Sequence, residues 1–341
     1  MPRNTYGLDL GSYEIKVYDK RKDSIWKEKD VIALQDNNEI FAVGDEAYNM
    51  YEKAPSNIEV VFPMKNGVIS HFNTMQYLLQ NLLRQAGRQF AGGSEYVIAV
   101  PTDVTEVEKK AFFDLVIHST ARAREVNIVE RSIADAVGMG IDIQNTSGVF
   151  IVNLGGSTTE LSIIAGGGMV MNRLLPIGGD DLDKAIIAHV RHTHDFLIGD
   201  RTAEALRKQF RVFSGDANPA FTVAGRDLIT GLPMQKVIDL SLVRTALSDP
   251  LLECVRAVFS LLDRTPPEVR QAINENGIYL TGGVAQMEGL STYIEKAVGI
   301  KTKTAKNPDI CVVNGLKKII MSEELSKLAY SMLDDNYRWM R

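Results

Sequence analysis

The chain has 341 residues, 45% of them apolar and 24% charged, an ordinary globular composition that excludes disorder as an overall description. At roughly 150 residues per domain, about two domains are expected. With 38 basic and 43 acidic residues the net charge is −5, which speaks against a bulk electrostatic grip on nucleic acid.

In chain order, Tyr6–Leu10 is apolar and stops at Gly11, and Glu14–Tyr18 alternates as a half-buried strand does. Asp19–Asp30 mixes both charge signs and reads as a solvated turn. Leucines at 78, 79, 82 and 83 predict a helix over 74–89, and Tyr96–Val100 is a short strand halted by Pro101. Thr105 followed three residues later by Glu108 is a capping-box start for a helix over 105–119. Val126–Val129 is a strand, and Ser132–Met139 a short helix ending near Gly140. This alternation argues for an α/β architecture.

A second half repeats the plan. Val149–Leu154 is an apolar strand, followed by the turn Gly155-Gly156-Ser157-Thr158 and strands over 159–164 and 169–175. Helices are predicted over 180–194, 201–211 and 240–262, with loops and short strands over 213–233. Ile278–Thr281 is a buried strand that runs into Gly282-Gly283 and a helix. Two such halves facing each other would form a ligand cleft.

A strand–turn–strand with Gly and Ser or Thr at its tip exposes backbone N–H groups and can cradle a phosphate. Asp9, just before the first such turn, could hold Mg2+ through water. Each turn taken singly reads as an ordinary hairpin, since Gly and Ser are simply turn residues. There is no GxxxxGK[ST] and no GxGxxG after a strand, so the P-loop and Rossmann readings fail. The third element, Gly277–Ala285 with its paired glycines, adds a surface on which a flat base could lie. Three elements in this order resemble the actin, sugar-kinase and heat-shock-chaperone ATPase superfamily.

Within that superfamily the chain most resembles the MreB family of bacterial actins. The resemblance rests on Tyr6-Gly7-Leu8-Asp9-Leu10-Gly11, Pro63–Ile69, Val100-Pro101-Thr102 with Thr105–Lys109, Ile198–Glu204, Gly225–Pro233 and Thr265–Glu268. It implies two duplicated α/β domains around a nucleotide cleft, each with a smaller subdomain. The implied subdomains are IA (1–32, 66–145, 310–341), IB (33–65), IIA (146–181, 236–309) and IIB (182–235). The implied function is an ATP- and Mg2+-binding filament protein that organises cell-wall synthesis and rod shape. Its implied partners are itself or a second MreB-like chain, wall-synthesis proteins and membrane adaptors. By the same resemblance, the phosphates would meet Ser12, Tyr13 and Glu14 on one side and Gly155, Gly156, Ser157 and Thr158 on the other. The nucleoside would meet Glu204, Arg207 and Gly282, Gly283, Val284 and Ala285.

Several positions depart from the family pattern. Asn153 stands where an Asp is usual, and Glu130-Arg131-Ser132 where Glu-Glu-Pro is usual. Arg131 thus replaces the carboxylate that polarises the attacking water, and a guanidinium cannot accept a proton. Losing such a group costs about 10²–10⁴ in rate. Glu130 survives but, on a strand, is expected to face away from Arg131. Ser12-Tyr13-Glu14 replaces Thr-Ala-Asn and brings a ring and a carboxylate to the first turn, and Val284 replaces a third glycine. Weakened hydrolysis is therefore expected. The alternatives are a non-polymerising pseudo-ATPase that regulates a true MreB, and an active ATPase machine.

Cys254 and Cys311 are too few for a disulfide scaffold and are expected as buried thiols in a reducing cytoplasm. No signal peptide and no run of ~18 apolar residues is visible, so a cytoplasmic protein is expected, with peripheral membrane contact left open. His189, His192 and His194 are read as a solvated helix end rather than a metal site. Phe90 is a weak candidate for a membrane-inserting loop. The tail from Ser322 shows helical spacing at Leu325, Leu328 and Met332 and is expected to pack on the first domain.

Overall fold

A computed structural model describes residues 4–36, 39–86, 93–118, 123–211 and 220–333. The chain divides into two compact units, Met1–Thr146 with Ile164–Leu174 and Ile310–Arg341, and Ser147–Ile163 with Leu175–Asp309.

The first unit is built on a five-stranded sheet ordered Ala123–Glu130, Ser94–Val100, Thr5–Leu10, Glu14–Asp19, Ser24–Lys29. Thr5–Leu10 pairs in parallel with Ser94–Val100 and antiparallel with Glu14–Asp19. One face of the sheet carries the core: Leu8, Leu10, Ile15, Val17 and Ile98 stand on that face of adjoining strands and are all fully buried. Helix Phe72–Ala86 places Met75, Leu78, Leu79, Leu82 and Leu83 in that core, as its spacing predicts. Residues 87–89 of the expected helix and the Phe90 loop lie outside the described residues. The capping box forms: the Thr105 hydroxyl accepts from the Glu108 N–H, the Glu108 carboxylate accepts from the Thr105 N–H, and the helix runs Glu106–Ile117.

Two expectations for this unit are corrected. Ser24–Lys29 is a strand, antiparallel to Glu14–Asp19. Only the residues just before it turn, so the mixed charges of that segment are largely those of an edge strand. Glu130 also does not oppose Arg131 across a strand. It ends the strand and precedes helix Arg131–Met139, so strand alternation stops there. That helix ends at Gly140, in the left-handed region at φ 83°, as its sequence suggests. It crosses helix Cys311–Met321 at two glycines. A Cβ on Gly315 would strike the Ala134 carbonyl, and one on Gly138 the Cys311 carbonyl.

The tail departs from a helix as well. Only Leu325–Leu328 makes a short 3-10 turn, after which Tyr330 pairs with Ile128 through both backbone groups (2.8 and 2.9 Å). Tyr330 and Met332 do pack against the first unit's core, and residues 334–341 lie outside the described ones. A second, three-stranded sheet is formed by Ile32–Gln35 between Glu39–Val43 and Ile58–Val61.

The second unit repeats the plan. Thr159–Ala165, Val149–Leu154, Ile278–Thr281 and Thr302–Thr304 lie side by side, the last three in parallel. In both sheets the opening strand has its hairpin partner on one side and two later parallel strands on the other. Ile278–Thr281 matches its expected bounds, and helices Gly179–His194 and Asp200–Gln209 lie close to theirs. Helix Leu240–Arg264 runs two residues past its expected end and continues through Pro250. A further helix follows from Pro267 to Asn276, its proline at N1 as is favoured. The expected loops near 213–233 include a real hairpin of Ala220–Asp227 and Pro233–Asp239.

Cys254 and Cys311 are both buried thiols. Among the described residues no helix is long and apolar enough to cross a membrane.

Candidate functional site

The two glycine turns are closed in the same way. Gly11 N–H donates to the Glu14 carbonyl (3.2 Å), and Gly155 N–H to the Thr158 carbonyl (2.8 Å). In each, a Cβ on the glycine would crowd the carbonyl it bonds, so a bare backbone is required there. The likeness between the two sequence stretches is therefore a shared turn geometry.

In the first unit, the side chains of this turn are taken up by cations. Lys29 Nζ lies 3.6 Å from the centroid of the Tyr13 ring and 3.0 Å from Glu14 Oε1, and Lys27 stands 3.9 Å from Glu14 Oε2. Burial alone would raise the Glu14 carboxyl, but the hydrogen bond and charge of Lys29, with Lys16 and Lys27, hold it below its ordinary value. Tyr13 also stands edge-on to Tyr48, with centroids 6.2 Å apart. Ring and carboxylate thus belong to a Lys–Tyr cluster.

Asp9 is buried and lies between two cations, Lys16 Nζ at 3.8 Å and Arg131 Nε at 3.9 Å. Lys16 is there because it faces Asp9 directly across the antiparallel pair. Arg131 is there because it opens its helix beside the ends of the central strands, and its guanidinium donates to the Leu10 carbonyl (3.1 Å). Lys16 is a residue that the motif reading passed over. The signal was available, since the Gly11–Glu14 turn sets the register that brings position 16 opposite position 9.

In the second unit, the carbonyls of Gly155 and Gly156 accept from Gly179 N–H (3.0 Å) and Asp180 N–H (2.8 Å) at the start of the 16-residue helix Gly179–His194. The turn and the helix start are locked together, and a Cβ on Gly178 would strike the Gly156 carbonyl. Asn153 is the parallel-strand partner of Thr281. Next to it, Gly282 has φ 83°, and a Cβ there would run into the Leu154 carbonyl and the Asn153 side chain. Positive φ and close approach both demand glycine. The second turn and the paired-glycine element are therefore brought together.

Gly283 is exposed with open space around it, while Val284 and Ala285 are buried. What this element can present is bare backbone rather than its two apolar side chains. Arg207 is also buried and forms a two-pronged ion pair with Asp183, at 2.7 and 3.0 Å. Its guanidinium and Val284 both pack over Gly179. Glu204 pairs with Lys208 at 2.6 Å. Asp183 was not singled out by the sequence, because no short-range pattern links it to a residue 24 positions away. His192 is exposed and His189 and His194 are half-buried.

Two sheets of one topology, each opening on a glycine-closed turn, define a protein of the actin-like ATPase fold. The MreB/Mbl protein family profile matches residues 3–328. The cell shape-determining protein MreB of Escherichia coli K12 is 33% identical over 320 residues, 92% of each chain. The crystal structure of MreB 5 of Spiroplasma citri bound to AMPPNP superposes with a TM-score of 0.90 at 29% identity, covering 96% of this chain and 98% of that one. A chain of a MamK double helical filament, 20% identical with a TM-score of 0.79 over 94% of this chain and 99% of its own, shares the fold. The chain belongs to the MreB/Mbl family.

Proposed function

We propose that this protein is an ATP-binding cytoskeletal protein of the MreB type that assembles into cytoplasmic filaments, organises wall synthesis and rod shape, and hydrolyses ATP slowly. The reading is supported by the family match over nearly the whole chain and by the likeness to a relative bound to AMPPNP. The phosphates are assigned to the Gly11–Glu14 and Gly155–Thr158 turns. The nucleoside is assigned to Glu204, Arg207 and the backbone of Gly282–Ala285.

The observation that carries slow hydrolysis is Arg131. Its guanidinium is bonded to the Leu10 carbonyl and flanks Asp9, and by the family resemblance it takes the place of the water-polarising carboxylate. It can neither accept a proton nor orient water as a base does. Partners would be further copies, a second MreB-like chain, wall-synthesis proteins and membrane adaptors.

Single-turnover phosphate release by the purified chain tests the hydrolytic part. A rate about 10²-fold or more below that of an MreB with the carboxylate is expected, and an equal rate would refute it. Sedimentation with and without ATP, followed by negative-stain microscopy, tests assembly. A chain that never pellets alone but enters filaments of a second MreB would support the regulatory alternative.

A further inference from the structure

The two glycine turns have one shape and are held in different ways. The second is fixed by backbone bonds from the start of helix Gly179–His194 to its glycine carbonyls. The first is held by the end of the Ser24–Lys29 strand. Lys29 is the direct cross-strand partner of Glu14. One residue on, Asp30 N–H donates to the Tyr13 carbonyl (3.1 Å), so the edge strand extends its pairing onto the turn itself. The Asp30 carboxyl accepts from the Met64 N–H (3.0 Å), and the Val31 carbonyl from the Gly44 N–H (2.9 Å), which anchors this segment in turn.

The Lys29 side chain grips the tip of the turn. Its Nζ lies 3.0 Å from Glu14 Oε1 and 3.6 Å from the centroid of the Tyr13 ring, with the Tyr48 ring centroid 5.6 Å away. The Lys29 and Glu14 side chains are only 15% and 17% exposed, so little water screens the contact. Burial works against the Glu14 carboxylate, and Lys29 is the foremost cation that favours it, ahead of Lys16 and Lys27. Lys27 stands farther off, at 3.9 Å, and is more than half exposed. Tyr13 and Glu14 both depart from the family pattern, and both meet this one ammonium. Backbone N–H groups bind an anion best when their directions are set before it arrives, because less freedom is then lost on binding.

We infer that Lys29 is a positioning residue for the first phosphate turn, whose ammonium clamps Tyr13 and Glu14 together and so sets the turn's backbone N–H groups for the nucleotide's phosphates. This rests on the nucleotide-binding reading above. The test is mant-ATP affinity, read by fluorescence anisotropy, for the full chain and for Lys29→Met, Lys29→Arg, Tyr13→Leu and the double variant Lys29→Met/Tyr13→Leu, each checked for folding by circular dichroism. Lys29→Met keeps the aliphatic stem and removes the cation, and is expected to lose about fivefold or more in affinity. Lys29→Arg, which can stack on the ring and bond the carboxylate, is expected to stay within about threefold of the parent.

The double variant separates a clamp from a direct phosphate ligand. If Lys29 acts through Tyr13, Lys29→Met costs less in the Tyr13→Leu chain than in the parent. An equal cost in both backgrounds, or a Lys29→Met chain that binds as the parent does, would refute the clamp and leave the nucleotide reading intact. Should Lys29→Met not fold, Tyr13→Leu carries the test: a loss of about threefold or more is expected, and an unchanged affinity would refute the inference. A parent chain that does not bind mant-ATP would overturn the nucleotide reading and this inference with it.

Discussion

Asp30 gives the sharpest test of the electrostatic reasoning. It lies between the Ser24–Lys29 strand and the small three-stranded sheet, and it is fully buried. Its N–H donates to the Tyr13 carbonyl (3.1 Å), and its Oδ2 accepts from the Met64 N–H (3.0 Å). Its Oδ1 is buried with no hydrogen-bond partner among the described residues. Burial penalises the charged form and pushes the carboxyl from its ordinary 3.8 to about 8, against the smaller opposing effect of the Met64 N–H. The folded protein therefore holds a proton here that the unfolded chain releases. Stability from this group is complete below about pH 4 and is lost as pH rises towards about 8. In between, the slope approaches 1.4 kcal/mol per pH unit, or about 3 kcal/mol from pH 5 to pH 7. Asp30→Asn keeps an acceptor for Met64 and removes the titration. Urea denaturation at several pH values should show the variant gaining on the parent by about 1.4 kcal/mol for each unit of rising pH. A difference that stays constant between pH 5 and pH 7 would refute the buried, protonated acid.

Three further outcomes are expected. Gly315→Ala pushes a methyl into the Ala134 carbonyl at the helix crossing and should cost about 3 kcal/mol or more, read as a lowered urea midpoint; an unchanged midpoint would mean that the helices part freely. Asp183→Asn strips the buried Arg207 guanidinium of its carboxylate and should cost about 3–5 kcal/mol in thermal unfolding, with weaker mant-ATP binding if Arg207 serves the nucleoside. Burial pushes the Cys254 thiol up to about 11, so Ellman's reagent at about pH 8 should leave it unmodified in the folded chain and label it once urea is added.

What the sequence made legible was local. Ile278–Thr281 is an apolar run stopped by glycines, and Thr105 with Glu108 is a cap that needs only three residues of spacing. Gly11 and Gly155 were readable because each must close its own turn. The Ser24–Lys29 strand was not, because SIWKEK ends on three successive charged residues and does not look like sheet; its hydrogen bonds come from Glu14–Asp19, and it lies at the sheet's edge. The tail failed for the opposite reason. Its leucine spacing suits a helix, yet pairing of Tyr330 with Ile128 draws the chain out along a strand. The candidate site depends most on contacts that no window contains, Arg131 with Leu10 across 121 residues and Arg207 with Asp183 across 24.

Position 131 shows how one such contact changes the meaning of a substitution. Read from sequence, Arg131 is a missing carboxylate, a site with one part taken out. In the structure the guanidinium is buried, bonded to the Leu10 carbonyl and set beside Asp9, so it is built into the site. A carboxylate there would put a second anion near Asp9, and two buried anions call for a cation between them. A guanidinium there instead meets Asp9 with the opposite charge, alongside Lys16 from across the strand pair. The substitution thus exchanges a potential base for a cation that the fold itself holds in place, through the Leu10 carbonyl and Asp9.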